Sequence, residues 1–433
     1  MQITSIILSA GKGTRMKSNI PKTFHKIAGK KMIDWVIDAN KSIKVSKIII
    51  VGSKKDEYKT YINDHDLALQ TEPKGTGDAV IKAKKYFKGF DGVVLVCYGD
   101  TPFLTKETLK KLINSIKKKN NNIALTFFNK KNKNSYEKII LSENKIPIRI
   151  QEDKNSLSNI QMCNGGLIAF KCIDLINLLS KLKVNKLTKE YYLTELIEIA
   201  ANRKLKIDLI KIDEKEILGI NNKIELCKAE KIAQEKFRNY FLSLGVTLLD
   251  PDTNYFSHDT MIEKDVIIHP NVVIGEGVKI KKNAEVFSFS HLTHCIVNEN
   301  VKIGPFARIR GSSNIGKNSK IGNFVEVKKA RLEKNVKINH LSYIGDSHIG
   351  SETNIGAGTI TCNFDGYIKH DTIIGKNSFI GSNSTLIAPI KIGDNSTVAA
   401  GSVITENVQK NSLSIARNRQ INKKNKSIKK IDN

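Results

Sequence analysis

Short aliphatic runs alternate with amphipathic stretches through the first half of the chain: Ile3–Leu8, Met32–Ala39, Ile48–Val51, Ala79–Phe87, Val93–Cys97, Leu109–Ile116 and Ile123–Phe128. Strands alternating with helices predict an α/β domain with a mainly parallel sheet. Ligands of such sheets sit beyond the carboxyl ends of the strands, so chemistry is expected in the loops after Leu8 and after Cys97. From about Lys223 the spacing becomes helical, with Leu226, Ala229, Ala233, Phe237 and Phe241 on one stripe among Lys and Glu. This predicts a connecting helix that Gly245 ends.

The second half repeats with period six. Ile262, Ile268, Ile274, Ile280, Val286 and Leu292 lie six apart; Val297, Ile303, Ile309, Ile315, Ile321 and Val327 continue after a one-residue slip; Ile374, Ile380, Leu386, Ile392, Val398 and Ile404 resume the series. Neither an amphipathic helix nor an alternating strand has that period. A solenoid with three flat faces does, because each aliphatic then points inward and stacks on the coil below. Glycines follow many of these positions (Gly275, Gly304, Gly316, Gly322, Gly375, Gly381, Gly393) and are expected to let the chain turn corners. Three hexads per coil from Met261 to about Thr405 give roughly eight coils, a prism on the order of 40 Å long at about 4.8 Å per strand. The slips between Val327 and Ile374 call for loops, and Asn363 to Asp371, with Gly366, is the expected protrusion.

Composition narrows the class. A chain of 433 residues that is 40% hydrophobic can bury two or three cores. Its 26% charged residues and lack of long apolar runs predict a soluble protein with no membrane partner. The first residues hold too short an apolar run for a secretory signal, which predicts a cytoplasmic location. Six scattered cysteines without metal spacing predict reduced, mostly buried thiols. The net charge of +28 admits nucleic acid, acidic membrane or anionic small substrates. Lysines are spread along the whole chain without interleaved aromatics to stack bases, so nucleic acid is disfavoured.

The strand Ile3–Leu8 runs into Ser9-Ala10-Gly11-Lys12-Gly13-Thr14-Arg15-Met16, where glycines admit phosphate oxygens to backbone N–H groups and Lys12 and Arg15 supply charge. It is neither a Walker loop nor a complete dinucleotide fingerprint. The fuller string, with Pro21-Lys22, resembles the sugar-1-phosphate nucleotidylyltransferases. Gln70, Gly75-Thr76-Gly77 and Tyr98-Gly99-Asp100, together with the hexapeptide half, resemble the bacterial bifunctional N-acetylglucosamine-1-phosphate uridylyltransferase/glucosamine-1-phosphate acetyltransferases from Leu8 to Arg417.

That resemblance implies a Rossmann-like α/β nucleotidyltransferase domain over 1–222, a linker helix over 223–245, a left-handed parallel β-helix of hexapeptide repeats over 246–416, and a basic tail over 417–433. It implies a homotrimer formed through the β-helix, Mg²⁺ as cofactor, UTP and acetyl-CoA as co-substrates, and a product used for peptidoglycan and lipopolysaccharide precursors. For UTP and UDP-N-acetylglucosamine the implied residues are Leu8, Ala10, Gly11, Arg15, Lys22, Gln70, Gly75, Thr76, Tyr98, Gly99, Asp100, Glu137, Glu152, Asn164 and Asn221. Asp100 and Asn221 would hold Mg²⁺, an oxygen-only pair suited to a hard cation. Tyr136-Glu137-Lys138-Ile139 stands where the family has Tyr-Gly-Arg-Ile, and Asn164-Gly165-Gly166 replaces Asn-Thr-Gly, which is expected to loosen that turn.

In the solenoid, polar interruptions cluster around His340. A lone histidine is more often structural, but this one has cations and donors nearby in sequence. Acetyl transfer from a thioester to an amine needs a base near neutral pH, which imidazole provides. The resemblance makes His340 that base, with Arg310, Lys328, Tyr343 and Asn354 on glucosamine-1-phosphate. Ala357, Asn363, Phe364, Ser382, Ala400 and Arg417 would meet acetyl-CoA, Asn363 as a donor to the tetrahedral oxyanion. Glu326 is a candidate for orienting the sugar. Phe364 replaces a usual Tyr, and Gly311 a usual Pro. Two readings compete: a nucleotidylyltransferase of another sugar whose prism is only a scaffold, which leaves His340, Lys328, Tyr343 and Asn363 unexplained, and a basic scaffold or nucleic-acid binder, which leaves Lys22, Asp100 and Asn221 unexplained.

Overall fold

The computed structural model describes residues 2–131, 136–151, 160–424 and 426. The chain divides into two compact units between Lys231 and Ile232, inside a single helix, Lys223–Ser243. Ala229, Ala233 and Phe241 of its expected stripe are buried, and Gly245 ends it at φ 85°.

Among the described residues the first unit holds a nine-stranded sheet. Its main path runs Ile207–Lys211, Ile123–Lys131, Ile160–Lys171, Gly92–Tyr98, Gln2–Leu8, Lys47–Gly52, Asp66–Leu69. Gln2–Leu8 is parallel to both neighbours, whereas Ile160–Lys171 runs antiparallel to both of its own. The hairpin Lys138–Leu141 and Pro147–Gln151 attaches to the latter strand. Successive residues of a strand point to opposite faces. Ile3 and Ile7 therefore pack in one core with residues of helices Met32–Ser42 and Lys106–Lys119, while Ile6 packs in another with those of Thr76–Ala83, Cys172–Leu179 and Glu195–Asn202. Helices on both faces explain why these strands read as nearly continuous aliphatic runs.

From Gln2–Leu8 the chain moves to Lys47–Gly52 on one side and later returns to Gly92–Tyr98 on the other. The strand order reverses there, and a reversal of this kind opens a crevice beyond the strand ends. The loops after Leu8 and Tyr98 border it, as the aliphatic pattern predicted.

The second unit is a parallel β-helix. Ten strands, one per coil, form one face among the described residues, and eight of them fall between Met261 and Thr405 as the repeat predicted. The inward hexad positions form one continuous buried column from Ile262 to Ile404. Paired residues lie 18 apart at Lys302 and Lys320, 17 apart at Lys320 and Lys337, and 25 apart at Asn354 and Phe379. The coil with the longest spacing contains Asn363 to Asp371, so the protruding loop is an insertion that leaves the stacking intact on both sides.

The glycines act differently from expectation. Of the seven singled out, only Gly304 has positive φ, at 99°. The left-handed corners are taken instead by residues such as Asn283, Asn300, Asn318, Asn335, Asn377, Asn395 and Asn411, whose short polar side chains tolerate that conformation. Most of the other glycines sit where coils approach most closely. A methyl group at Gly322 would lie 1.8 Å from the Asn339 carbonyl oxygen, and one at Gly316 would lie 2.2 Å from that of Glu333.

Because Ile321 is almost fully buried in the column, Ile321→Ala should destabilise the second unit by about 2–5 kcal/mol. A urea titration followed by circular dichroism should show an earlier transition; an unmoved curve would mean that this hexad position does not carry its coil.

Candidate active sites

The crevice of the first unit is a cavity of about 370 Å³ lined by Leu8, Ser9, Ala10, Gly11, Lys22, Thr23, Gln70, Pro73, Gly75, Thr76, Ala79, Tyr98, Asp100, Glu190 and Asn221. Ten residues expected from the sequence therefore converge there. Ser9, Thr23, Pro73, Ala79 and Glu190 were not anticipated. Ser9 Oγ lies 2.6 Å from Thr23 Oγ1 and 2.8 Å from the buried Tyr58 hydroxyl, which ties the glycine-rich loop to the next two segments. Burial pushes the Tyr58 phenol above its ordinary pKa, so it remains a neutral donor. Gly13, at φ 62°, brings the loop against Lys22, where a methyl group would lie 2.8 Å from Lys22 Cβ. Gly99 contributes backbone, donating to the Leu8 carbonyl at 2.9 Å.

Charge in the cavity centres on Lys22. Its ammonium is paired with Asp100 and donates to Asn221 Oδ1 at 3.3 Å, and Arg15 Nη2 reaches the same oxygen at 3.0 Å. The Asp100 and Asn221 oxygens thus converge on one positive charge. Gln70 is buried; its amide nitrogen donates to the Gly75 carbonyl at 3.0 Å and to Asp78 at 2.7 Å, which leaves its carbonyl oxygen as the group still able to accept. Gly75, with φ 93°, would place a methyl group 2.4 Å from the Tyr191 carbonyl oxygen, so the 190–193 segment fixes this loop.

Glu137 and Asn164 form a second cluster. Asn164 Nδ2 donates to Glu137 Oε2 at 2.7 Å, and Asn164 Oδ1 accepts from Gly166 N at 2.9 Å. Burial, with the Glu137 and Asp100 charges adding to it, raises the Tyr98 phenol pKa, which places this cluster at the Tyr98 side of the cavity. At the Asn164-Gly165-Gly166 turn a methyl group at Gly165 would lie 2.4 Å from Thr126 Oγ1, so Thr126 fills the space beside the glycine. Glu152 lies outside the described residues.

In the β-helix, His340 ends the strand Lys337–His340, and its Nδ1 lies 2.7 Å from Asn323 Oδ1 on the preceding coil. His340, Ala357, Ser382 and Ala400 each stand two residues beyond an inward aliphatic, and those aliphatics are partners on successive coils. Residues distant in sequence thus form one column along an edge, and Arg417 Nη1 closes it by donating to the Ala400 carbonyl at 2.8 Å. Past the next corner, Arg310, Lys328 and Gly345 are register partners, as are Glu326 and Tyr343. Arg310 Nε donates to Glu326 Oε1 at 2.7 Å. Asn354 lies on the face of Lys337 and Phe379, three residues before the column.

The loop after Thr361 folds as a hairpin, with Phe364 bridged to Lys369. The Asp365 carboxylate accepts from the backbone of Tyr367 and Ile368 at 2.8 Å each and pairs with His370 at 2.7 Å. The fold brings Lys369 beside Lys328, whose ammonium lowers the Lys369 pKa by hydrogen bonding and repulsion. Sequence reading missed Lys369, Asn323 and Asp346. Coil arithmetic could have found Asn323, which lies one coil length before His340.

The two folds and two sites define a nucleotidyltransferase joined to a hexapeptide-repeat acyltransferase. Residues 5–149 match the MobA-like NTP transferase domain, residues 294–329 the bacterial transferase hexapeptide, and residues 371–406 the hexapeptide repeat of succinyl-transferase. The chain is 40% identical to the bifunctional protein GlmU of Zymomonas mobilis, covering 97% of this chain and 95% of that protein. It is 41% identical to that of Wolbachia pipientis wMel, with 97% and 98% covered, and 38% identical to that of Clostridium kluyveri, with 98% of each covered. The chain belongs to the GlmU family of bifunctional transferases, and its second unit is the left-handed β-helix of hexapeptide proteins.

The Asp365 hydrogen bonds hold its carboxyl down at a pKa of about 2, with the His370 bond as the largest cause. Its support of the hairpin is complete above the unfolded carboxyl's value and is lost as pH falls through about 2. Amide exchange at Tyr367 and Ile368, corrected for intrinsic rates, should accelerate over that window; protection that stays constant would show that Asp365 does not hold the turn.

Proposed function

We propose that the β-helix N-acetylates glucosamine-1-phosphate with acetyl-CoA and that the first unit then transfers uridylyl from UTP to the product, giving UDP-N-acetylglucosamine and pyrophosphate. The observation that carries the two-activity reading is His340 anchored by Asn323 at the foot of a column of coil-related residues, an arrangement that a purely structural prism does not need.

In acetyl transfer the glucosamine nitrogen attacks the thioester carbonyl, the N–C bond forms and the C–S bond breaks. With His340 Nδ1 donating to Asn323 Oδ1, Nε2 carries the free lone pair and takes the proton that the amine loses. Asn323 thereby sets the tautomer. The column through Ala357, Ser382 and Ala400 suits the extended arm of coenzyme A, with Arg417 at its far end. Arg310, Lys328 and Lys369 offer positive charge to the sugar phosphate, Tyr343 and Asn354 position the ring, and Glu326 holds Arg310 in place. Phe364 offers the coenzyme an apolar surface.

In uridylyl transfer a phosphate oxygen of the sugar attacks the α-phosphorus of UTP. The attacking group is already ionised, so the residues position it and neutralise charge rather than remove a proton. Leu8, Ala10 and Gly11 line the nucleoside end, and the Gln70 carbonyl oxygen accepts from the uracil N3–H while Gly75 and Thr76 flank it. Lys22 and Arg15 meet phosphate. Glu137 and Asn164 serve the sugar beside Tyr98, and the family resemblance assigns Glu152 to the same sugar. Mg²⁺ would be held by Asp100 and Asn221, whose oxygens already converge on the Lys22 ammonium; when bound it supplies charge neutralisation and leaves the rest of its shell to phosphate and water. We further propose a cytoplasmic homotrimer formed through the β-helix. Among the described residues no helix is long and apolar enough to cross a membrane.

Product analysis by mass spectrometry tests the whole reading. Protein incubated with glucosamine-1-phosphate, acetyl-CoA, UTP and Mg²⁺ should yield UDP-N-acetylglucosamine, and N-acetylglucosamine-1-phosphate when UTP is omitted; uridylylation without acetylation would make the prism a scaffold. His340→Ala should slow acetyl transfer by roughly 10²–10⁴ and spare uridylylation, whereas equal loss of both would mark the residue as structural. Asp100→Ala should abolish Mg²⁺-dependent uridylylation while acetylation continues, and retained uridylylation would overturn the metal assignment.

A further inference from the structure

We propose that Asp346 is a positioning residue for acetyl transfer, acting through Asn363: its buried carboxylate fixes which end of the Asn363 amide faces the reacting groups. This inference rests on the reading of Asn363 as the oxyanion donor.

Lys329, Asp346 and Asn363 stand on consecutive coils at one corner of the β-helix. The partner pairs Lys328 with Gly345 and Ala330 with Ser347 place Lys329 beside Asp346. Asn363 follows after one coil length, where the loop begins. The Asp346 side chain is 1% exposed; Lys329 Nζ lies 3.0 Å from one of its oxygens, and the other accepts from Asn363 Nδ2. The Asn363 backbone is held separately, its N–H donating to the Thr361 carbonyl at 3.0 Å and its carbonyl accepting from His370 N at 2.9 Å. The carboxylate is therefore not needed to hold the Asn363 main chain. What it governs is the side-chain amide.

A carboxylate can only accept, so the amide must turn its nitrogen, never its oxygen, towards Asp346. One N–H is used in that bond and the second remains to donate. Gly345 shows where this nitrogen sits. A methyl group on Gly345 would lie 2.8 Å from Asn363 Nδ2 and 2.6 Å from the Tyr343 hydroxyl, so both groups border the space that the absent side chain leaves open. The amide nitrogen thus stands next to a residue of the proposed sugar-phosphate site. A buried carboxylate is costly unless paired. Lys329 and Asn363 overcome the effect of burial here and leave the Asp346 carboxyl below its ordinary pKa, so it stays an acceptor throughout the neutral range.

Asp346→Asn tests this while keeping shape. An asparagine can pair with the Asn363 amide in either orientation, so the donor is no longer enforced. The variant should lower kcat for acetyl transfer by about 10–10², less than the loss of an oxyanion donor outright, with little change in KM for glucosamine-1-phosphate and with melting temperature and uridylylation retained. In an Asn363→Ala background the same substitution should have no further effect, because residues acting through one another are not additive. Asp346→Ser gives the same cycle with a smaller side chain should the asparagine variant fold poorly. An unchanged kcat, or the same loss in both backgrounds, would overturn the proposal. Full acetyl transfer by Asn363→Ala would instead overturn the oxyanion reading itself, and the inference with it.

Discussion

Coil-to-coil stacking is the constraint on which the second unit depends. Inward aliphatics from Ile262 to Ile404 must lie one above another to share a core, and parallel backbone pairing fixes the distance between them. Once that register is set, every outward residue has a defined neighbour one coil away. The Asn323 to His340 contact, the column through Ala357, Ser382 and Ala400, and the Lys329–Asp346–Asn363 corner all follow from it. The apolar interior therefore aligns polar groups that lie far apart in sequence.

The first unit positions its site by a different device. Helices on both sheet faces leave only the strand ends open, and the reversal of strand order at Gln2–Leu8 separates two loops that would otherwise pack together. Into that gap the fold draws Lys22 from one segment, Asp100 from the loop after Gly92–Tyr98 and Asn221 from just before the long helix. Their mutual pairing suits the phosphate-binding role proposed for this pocket. The Lys22 ammonium and the Asp100 carboxylate stabilise one another, and in the proposed reaction each exchanges that partner for an opposite charge brought by the substrate.

Much of this was legible in the sequence because the two patterns are strong. Period six has no competing explanation, and the strands buried on both faces announced themselves as aliphatic runs. The glycine-rich string and the residues resembling a known family brought most of the nucleotide cavity into view. What escaped were contacts created by register. Asp346 reads as one acidic residue in a charged chain, and Lys369 as one of many lysines, until stacking sets them beside Asn363 and Lys328. The role of the glycines is hidden for a related reason: a residue without a side chain signals a turn as readily as a close approach, and only the neighbouring coil distinguishes them. Thr126 against Gly165 is the same lesson in the sheet.

The column above His340 is also a ruler. From His340 to Ala400 it takes three coil steps, about 14 Å at the spacing of paired strands. A pocket lined by flexible side chains can adapt to a ligand that is slightly longer or shorter, but a row of backbone-paired coils cannot stretch, and its length changes only by whole coils. In the acetyl-transfer site proposed for this edge, the reach of the acyl carrier is then encoded as an integer, the number of turns between base and far anchor. Substitution along the edge can retune grip, while only insertion or deletion of a complete turn can alter the length that the site accepts.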